Sequence, residues 1–342
     1  MRTQGLINHV SSGHLLTRAQ AEEVMEEILS GRVSTAEIVR LLSGLNARPL
    51  QVQELTGFAS VMRRHAAPVF ADNGLQPVKL VDTCGTGGDY AGTFNISTAA
   101  AIVAAAAGAR VAKHGNRSAS SRCGSADVLE ALGVRIAIPL EYCGQGIEKL
   151  GIGFLFAPAA HAATRHAAPA RQQIGARTIF NLLGPLTNPA GAKHQVLGVF
   201  SLEVLDLVAA TLAELGTERA FVVYGAAGLD EISLEGETLI AEVREGTVRR
   251  FTVTPEEFGV SRTPLEALRG GAPSRNAEII RAIFAGQPGP QRDVVVMNAA
   301  AALVAAGIAT NFREGAHLAM TAITTSAARE KLTAIIEFTN AE

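Results

Sequence analysis

The chain is poor in three features, each of which would have narrowed its class at once. It has three cysteines in 342 residues, Cys84, Cys123 and Cys143. An odd number with no C-x-x-C spacing argues against a disulfide framework and a zinc site, and fits a reducing, cytoplasmic compartment. Long apolar runs are also missing. The longest, 99–109 and 299–306, fall well short of the roughly 20 residues a membrane helix needs, so no membrane partner is expected. Both are mostly alanine and predict buried, closely packed helices. The third absence is charge of one sign: 30 basic against 32 acidic residues leave a net −2. No broad field attracts a polyanion, nucleic acid is not an expected partner, and any phosphate site must be local. The first thirty residues carry Arg2, Arg18, Glu22 and Glu23 among scattered apolar positions, without the pattern of a secretion signal.

What is present divides into two patterns. Near the start, Thr17-x-x-Gln20 and Ser34-x-x-Glu37 have the form of capping boxes, each leading into helically spaced apolar residues, and a third helix is expected over 50–65. Pro, Asn and Gly interrupt the periodicity over 68–77 and predict a hinge. Beyond it, short β-rich runs such as 78–81, 109–112 and 220–224 alternate with alanine-rich helical stretches. The expected fold is α/β: a small all-helical domain over 1–75, joined by part of 160–190, and a larger α/β domain over 76–342 with a largely parallel sheet. A hairpin is expected over 235–254, turning at Glu245-Gly246. The hydrophobic share of 48% is enough for a sizeable core without covalent staples.

Three loops carry candidate chemistry. After the first predicted strand comes Asp82-Thr83-Cys84-Gly85-Thr86-Gly87-Gly88-Asp89, then Thr93-Phe94-Asn95-Ile96-Ser97-Thr98 and a helix of alanines. Glycines let backbone N–H groups curl around an anion, and a helix N-terminus reinforces them, so a phosphate or pyrophosphate is the natural guest. The spacing matches neither the Walker nor the dinucleotide pattern. Taken alone, it is also readable as a tight turn into a buried helix. The second loop, Lys113-His114-Gly115-Asn116-Arg117-Ser118-Ala119-Ser120-Ser121, is dense in donors for phosphate and ribose oxygens, although Lys113 and Arg117 taken singly read as solvated charges. Ser125 adds a hydroxyl or caps the next helix. The third, Gly228-Leu229-Asp230-Glu231-Ile232-Ser233, offers adjacent carboxylates that suit Mg²⁺ or merely line a surface turn. Arg171, in a basic stretch with His161, could clasp a carboxylate with two parallel N–H bonds or lie on a plain surface helix.

In this order, and together with Thr178-Ile-Phe-Asn-Leu-Leu-Gly-Pro-Leu-Thr-Asn-Pro189 and the run from Arg292-Asp293 to Asn298 and Leu303, these segments resemble the anthranilate phosphoribosyltransferase family over nearly the whole chain. The resemblance implies transfer of the phosphoribosyl group of 5-phosphoribosyl 1-pyrophosphate to anthranilate, with release of pyrophosphate, as the second step from chorismate to tryptophan. It further implies a homodimer built through the helical domain. Gly85, Gly88, Asp89, Thr93, Asn95, Ile96, Ser97, Thr98, the nine residues from Lys113 to Ser121, and Ser125 would surround the sugar phosphate. Two Mg²⁺ ions would sit on Ser97, Asp230 and Glu231. Anthranilate would meet Gly85, Asn116 and Arg171, with His161 as a further contact, and no side chain would serve as a nucleophile. Thr164 departs from the Met or Leu usual in the family. Two rivals are a pyrimidine nucleoside phosphorylase, whose Lys-His-Ser-Thr-Gly-Gly type of loop is missing, and a catalytically silent relative that binds nucleic acid through a basic face.

Overall fold

Four helices open the computed structural model, which describes residues 2–70, 79–118 and 122–341. They are α1 (Arg2–Ser11), α2 (Arg18–Leu29), α3 (Thr35–Asn46) and α4 (Val52–Arg64). Both capping boxes form. The Thr17 hydroxyl accepts from the Gln20 N–H at 3.3 Å while Gln20 accepts from the Thr17 N–H at 2.9 Å, and Ser34 and Glu37 repeat the exchange. The first helix, α1, carries no cap signal in the sequence. Its Ile7 and Val10 are buried, so packing rather than capping holds it.

An ion pair lies inside this block. Glu54 is fully buried, accepts from the Leu16 and Gln51 N–H groups, and takes both terminal nitrogens of Arg48 at 2.5 and 2.8 Å. Two backbone donors and a bidentate guanidinium satisfy the carboxylate that the helix start would otherwise strand.

The α/β domain follows: β1 (Leu80–Gly85), α5 (Ile96–Ala106), β2 (Arg110–Gly115), α6 (Ser125–Leu132), α7 (Leu140–Leu150), β3 (Ile152–Phe156), α8 (Ala157–Ala160), α9 (Ala168–Ile174), α10 (Phe180–Leu186), β4 (His194–Gly198), α11 (Leu205–Glu214) and β5 (Arg219–Gly225). A hairpin of β6 (Thr238–Arg244) and β7 (Thr247–Val253) precedes α12 (Pro273–Phe284), α13 (Pro290–Ala305), α14 (Phe312–Thr324) and α15 (Ala327–Asn340). The sheet order is β3-β2-β1-β4-β5-β6-β7, with the first five strands parallel and the last two antiparallel. Glu245 and Gly246 turn the hairpin as expected, both at positive φ, which matches the strand twist. The boundary expected at 75/76, and Val78 of the first predicted strand, lie outside the described residues.

Alternate residues of the strands serve two cores. Val196, Phe221, Val223 and Ile240 face the alanine helices α5 and α13, while Leu197, Ala220, Val222 and Ala241 face α11 and, through one continuous apolar cluster, the N-terminal helices. Burial on both faces explains why these strands read as unbroken apolar runs. Residues from 160–190, among them Ala170, Phe180 and Leu183, belong to the cluster of the N-terminal helices. The strand order reverses between β1 and β4, so a crevice opens at the C-terminal ends of these two strands.

Replacing Glu54 with Gln leaves the Arg48 charge in a nearly closed site. A loss of roughly 3–5 kcal/mol in unfolding free energy is expected from urea titration followed by circular dichroism. A loss below about 1 kcal/mol would mean that Arg48 swings out to solvent on its own.

Candidate active site

Gly85 and Gly198 pair across β1 and β4, each as the last residue of its strand. A methyl group at Gly198 would fall on the backbone carbonyl of Asp230, and one at Gly85 on the Asp230 carboxylate. Only glycine at both places lets the segment after β5 fold back across the strand ends. Asn298 of α13 holds that segment from the far side: it accepts from the Ile232 N–H at 2.9 Å and donates to the Ile232 carbonyl at 3.1 Å.

The two acids therefore face the glycine loop and the start of α5. Asp230 accepts from the Gly87 N–H at 2.8 Å, and Glu231 from the Ser97 N–H at 3.0 Å, in the first turn of α5. Both remain partly open to the cleft. Desolvation by the loops around them, with Asp89 beside Asp230 and Asp230 beside Glu231, pushes their carboxyls up to about 7 and about 8. The site thus gathers more negative charge than it neutralises.

A buried cation lies underneath. Lys113 belongs to β2, not to the loop after it, and its ammonium donates to the Thr83 carbonyl between the charges of Asp82 and Glu231. Asp82 is likewise in a strand. It accepts from the His114 N–H at 3.1 Å and from Asn188 at 2.8 Å, and Asn188 also donates to the Ala112 carbonyl at 2.8 Å. The end of the Thr178 to Pro189 motif thereby ties β1 to β2 under the site.

Two cavities flank the strand ends. One of about 360 Å³ is lined by Gly88, Asp89, Thr93, Arg122, Arg269 and Asn276, among others. The second, of about 290 Å³, is lined by His114, Asn116, His161, Thr164, Arg165 and Arg171, and is floored by Phe180, over whose ring the Arg171 guanidinium lies at 5.2 Å. His114 and His161 meet edge to face at 5.1 Å. Burial depresses both, His114 to about 3, so they present neutral rings to this cavity. Thr164 donates to the His161 carbonyl at 2.7 Å, a bond that Met or Leu could not make.

The candidate residues from the sequence distribute unevenly. Gly85, Gly88, Asp89, Thr93, Ser97, Asp230 and Glu231 converge at the strand ends. Asn95 bonds the Cys123 carbonyl, and Ser125 exchanges bonds with the Asn116 backbone. Ile96 and Thr98 are buried in the first turn of α5. Arg117 turns to Asp127 and Glu130 of α6, and the Ser118 N–H also goes to Asp127. Asn116, His161 and Arg171 share the second cavity, which Gly85 does not line. Ala119, Ser120 and Ser121 lie outside the described residues.

Arg177 escaped the sequence analysis although it precedes the quoted Thr178 motif. Its guanidinium donates to the Gly88 carbonyl and lies over the rings of Phe200 at 4.2 Å and Tyr90 at 5.2 Å, while its own carbonyl accepts from Asn46 of α3 at 2.8 Å. It clamps the glycine loop against the helical domain. In Arg177→Ala, amide hydrogen exchange at Gly87 and Gly88 is expected to quicken by about tenfold or more. Unchanged protection would assign the loop's order to Asp230 alone.

Comparison with known proteins agrees with this architecture. Residues 4–66 match the glycosyl transferase family helical bundle domain, and residues 77–329 match the glycosyl transferase family a/b domain. Anthranilate phosphoribosyltransferases of Pelotomaculum thermopropionicum and Solibacter usitatus are each 52% identical over 333 residues, covering 97% of this chain and 95% and 97% of theirs. The crystal structure of anthranilate phosphoribosyltransferase from Thermus thermophilus superposes with a TM-score of 0.92 at 45% identity, over 99% of both chains. The Saccharomyces cerevisiae enzyme in complex with PRPP and Mg superposes at 0.85 with 27% identity, over 96% of this chain and 94% of that one. With two-domain matches in sequence and in structure over almost its full length, the chain belongs to the anthranilate phosphoribosyltransferase family.

Proposed function

We propose that the chain transfers the phosphoribosyl group of 5-phosphoribosyl 1-pyrophosphate to anthranilate, giving N-(5-phosphoribosyl)anthranilate and pyrophosphate in the tryptophan pathway. The observation that carries this reading is the pairing of two unlike cavities on either side of one acidic strand end. The glycine-loop side suits a polyphosphate. The Arg171 side, with a phenylalanine floor and neutral imidazoles, suits an aromatic carboxylate. A homodimer and a cytoplasmic location belong to the same proposal, as do the domain limits 1–75 and 76–342 with part of 160–190 added to the first. Among the described residues, no helix is long and apolar enough to cross a membrane.

The acids fit magnesium. Asp230 and Glu231 are hard oxygen donors whose carboxyls are raised by desolvation first and by neighbouring carboxylates second, and Lys113 is already engaged with Thr83. The described residues hold no cluster of three or more acidic, His or Cys ligands, so substrate oxygens and water would complete the shell, as Mg²⁺ usually requires. We assign Ser97, Asp230 and Glu231 to two Mg²⁺ ions. When bound, the ions neutralise charge growing on the departing pyrophosphate.

The protein's own groups do the rest. The Gly88 and Asp89 N–H groups are left to cradle the pyrophosphate as its charge grows, since those of Thr86 and Gly87 go to the Gly198 carbonyl and to Asp230. Arg171 fixes the anthranilate carboxylate, and Asn116 at the cavity wall helps aim the amine at the ribose C1. The amine carries its own lone pair, so no side chain need act as nucleophile. His114 and His161, neutral and buried, cannot compete for the carboxylate as cations.

The direct test is loss of anthranilate fluorescence with 5-phosphoribosyl 1-pyrophosphate and Mg²⁺, with pyrophosphate appearing in step. No loss with folded protein would contradict the reading. In Arg171→Ala, the anthranilate KM is expected to rise about 10- to 100-fold while that for the sugar phosphate changes by less than about threefold. Equal changes would remove Arg171 from the carboxylate. Because protonated carboxyls do not bind the ion, half-saturating Mg²⁺ is expected to climb as pH falls through about 8 and about 7. A flat dependence from pH 8.5 to 6.5 would contradict the assignment of Asp230 and Glu231.

A further inference from the structure

The segment after the β-hairpin lines the first cavity but has no role in the function proposed above, and it is sewn to the glycine loop. The Phe94 N–H donates to the Leu268 carbonyl at 3.1 Å and the Gly270 N–H to the Gly92 carbonyl at 2.9 Å, with Thr93 and Arg269 bridged antiparallel between them. Asn276, almost fully buried at the start of α12, donates to the Asn95 side chain at 2.9 Å and accepts from the Gly271 N–H at 2.7 Å. A methyl group at Gly270 would come within 2.7 Å of both the Phe94 backbone and the Asn276 carbonyl oxygen. The place of Arg269 is thus set by a backbone bridge on one side and a buried amide on the other.

Arg269 lines the cavity of about 360 Å³, and Arg122 lines it too. Both are exposed, and among the described residues neither makes an ion pair or a side-chain hydrogen bond. Arg117, five positions before Arg122, shows the contrast, being locked to two acids. The acid in the cavity wall, Asp89, acts on Asp230 and bonds the Ala91 N–H. Two uncompensated guanidinium groups therefore face one opening in a chain whose net charge is −2. A guanidinium offers a planar pair of N–H groups that matches two phosphate oxygens.

We propose that Arg122 and Arg269 form an anion clamp that receives a phosphoryl group of the sugar-phosphate substrate, held in register with the glycine loop by Asn276. The inference rests on the function proposed above and adds two residues to it. The clamped group is a phosphate dianion, and the substrate carries such chemistry at the 5-position and at the end of its pyrophosphate.

Calorimetric titration of the full chain with ribose 5-phosphate, and separately with magnesium pyrophosphate, distinguishes these sources. Arg269→Gln and Arg122→Gln are each expected to weaken at least one of the two ligands by about tenfold or more, with an unchanged unfolding midpoint. Arg269→Lys, which keeps the charge but loses the fork, is expected to lose less. The KM for 5-phosphoribosyl 1-pyrophosphate is expected to rise in the Gln variants while that for anthranilate stays put. Weakening confined to ribose 5-phosphate identifies the 5-phosphate, and weakening confined to pyrophosphate identifies the leaving group. Wild-type affinity for both ligands in folded Gln variants overturns the clamp and leaves the function standing. Failure of the wild-type chain to bind either ligand overturns the clamp, while the fluorescence assay separately decides the function.

Discussion

A backbone carbonyl in van der Waals contact with the end of a β-strand is the constraint from which the site is built. Asp230 can lie across β1 and β4 because Gly85 and Gly198 have no side chains to obstruct it. From that position its carboxylate reaches the glycine loop, and Glu231 reaches the first turn of α5. Asn298 pins the same segment from behind. Strand, loop and helix thus converge at the point where the strand order reverses, and the convergence depends on contacts between residues more than a hundred positions apart.

Electrostatics then explains the distribution of the remaining residues. The strand ends gather Asp89, Asp230 and Glu231 above Asp82, with Lys113 buried among them. Such a site favours added positive charge and, through it, a polyanion. Positive side chains are kept at the margins, with Arg122 and Arg269 beside one cavity and Arg165 and Arg171 beside the other. Arg177, which lines neither cavity, steadies the edge of the first by stacking on Phe200 and holding the Gly88 carbonyl. A transfer between a sugar phosphate and an aromatic acid requires such separation, since each substrate carries negative charge and would repel the other if both entered by one route.

Local chemistry was legible in the sequence and long-range chemistry was not. Thr17, Ser34 and Glu245-Gly246 act on neighbours three or fewer positions away, and the structure bears out each. The order of the glycine, lysine and acidic loops suggested one site through family resemblance, because nothing within any one loop reveals that Gly198 will make room for Asp230. Lys113 and Arg117 look alike on one loop, yet parallel pairing draws the first into β2, while α6 supplies acids to the second. Arg177, Asn276 and Arg269 stand in no pattern at all. Their roles arise only when segments far apart in the chain are brought to the edge of the glycine loop.

In the proposed function one acidic segment, draped over the strand ends, organises cation and pyrophosphate together. A crystal grown with 5-phosphoribosyl 1-pyrophosphate and manganese in place of magnesium tests it through the anomalous signal of the metal. A peak is expected within about 2.5 Å of a carboxylate oxygen of Asp230 or Glu231 and of a phosphate oxygen. A well-occupied substrate whose metal touches neither carboxylate would contradict it.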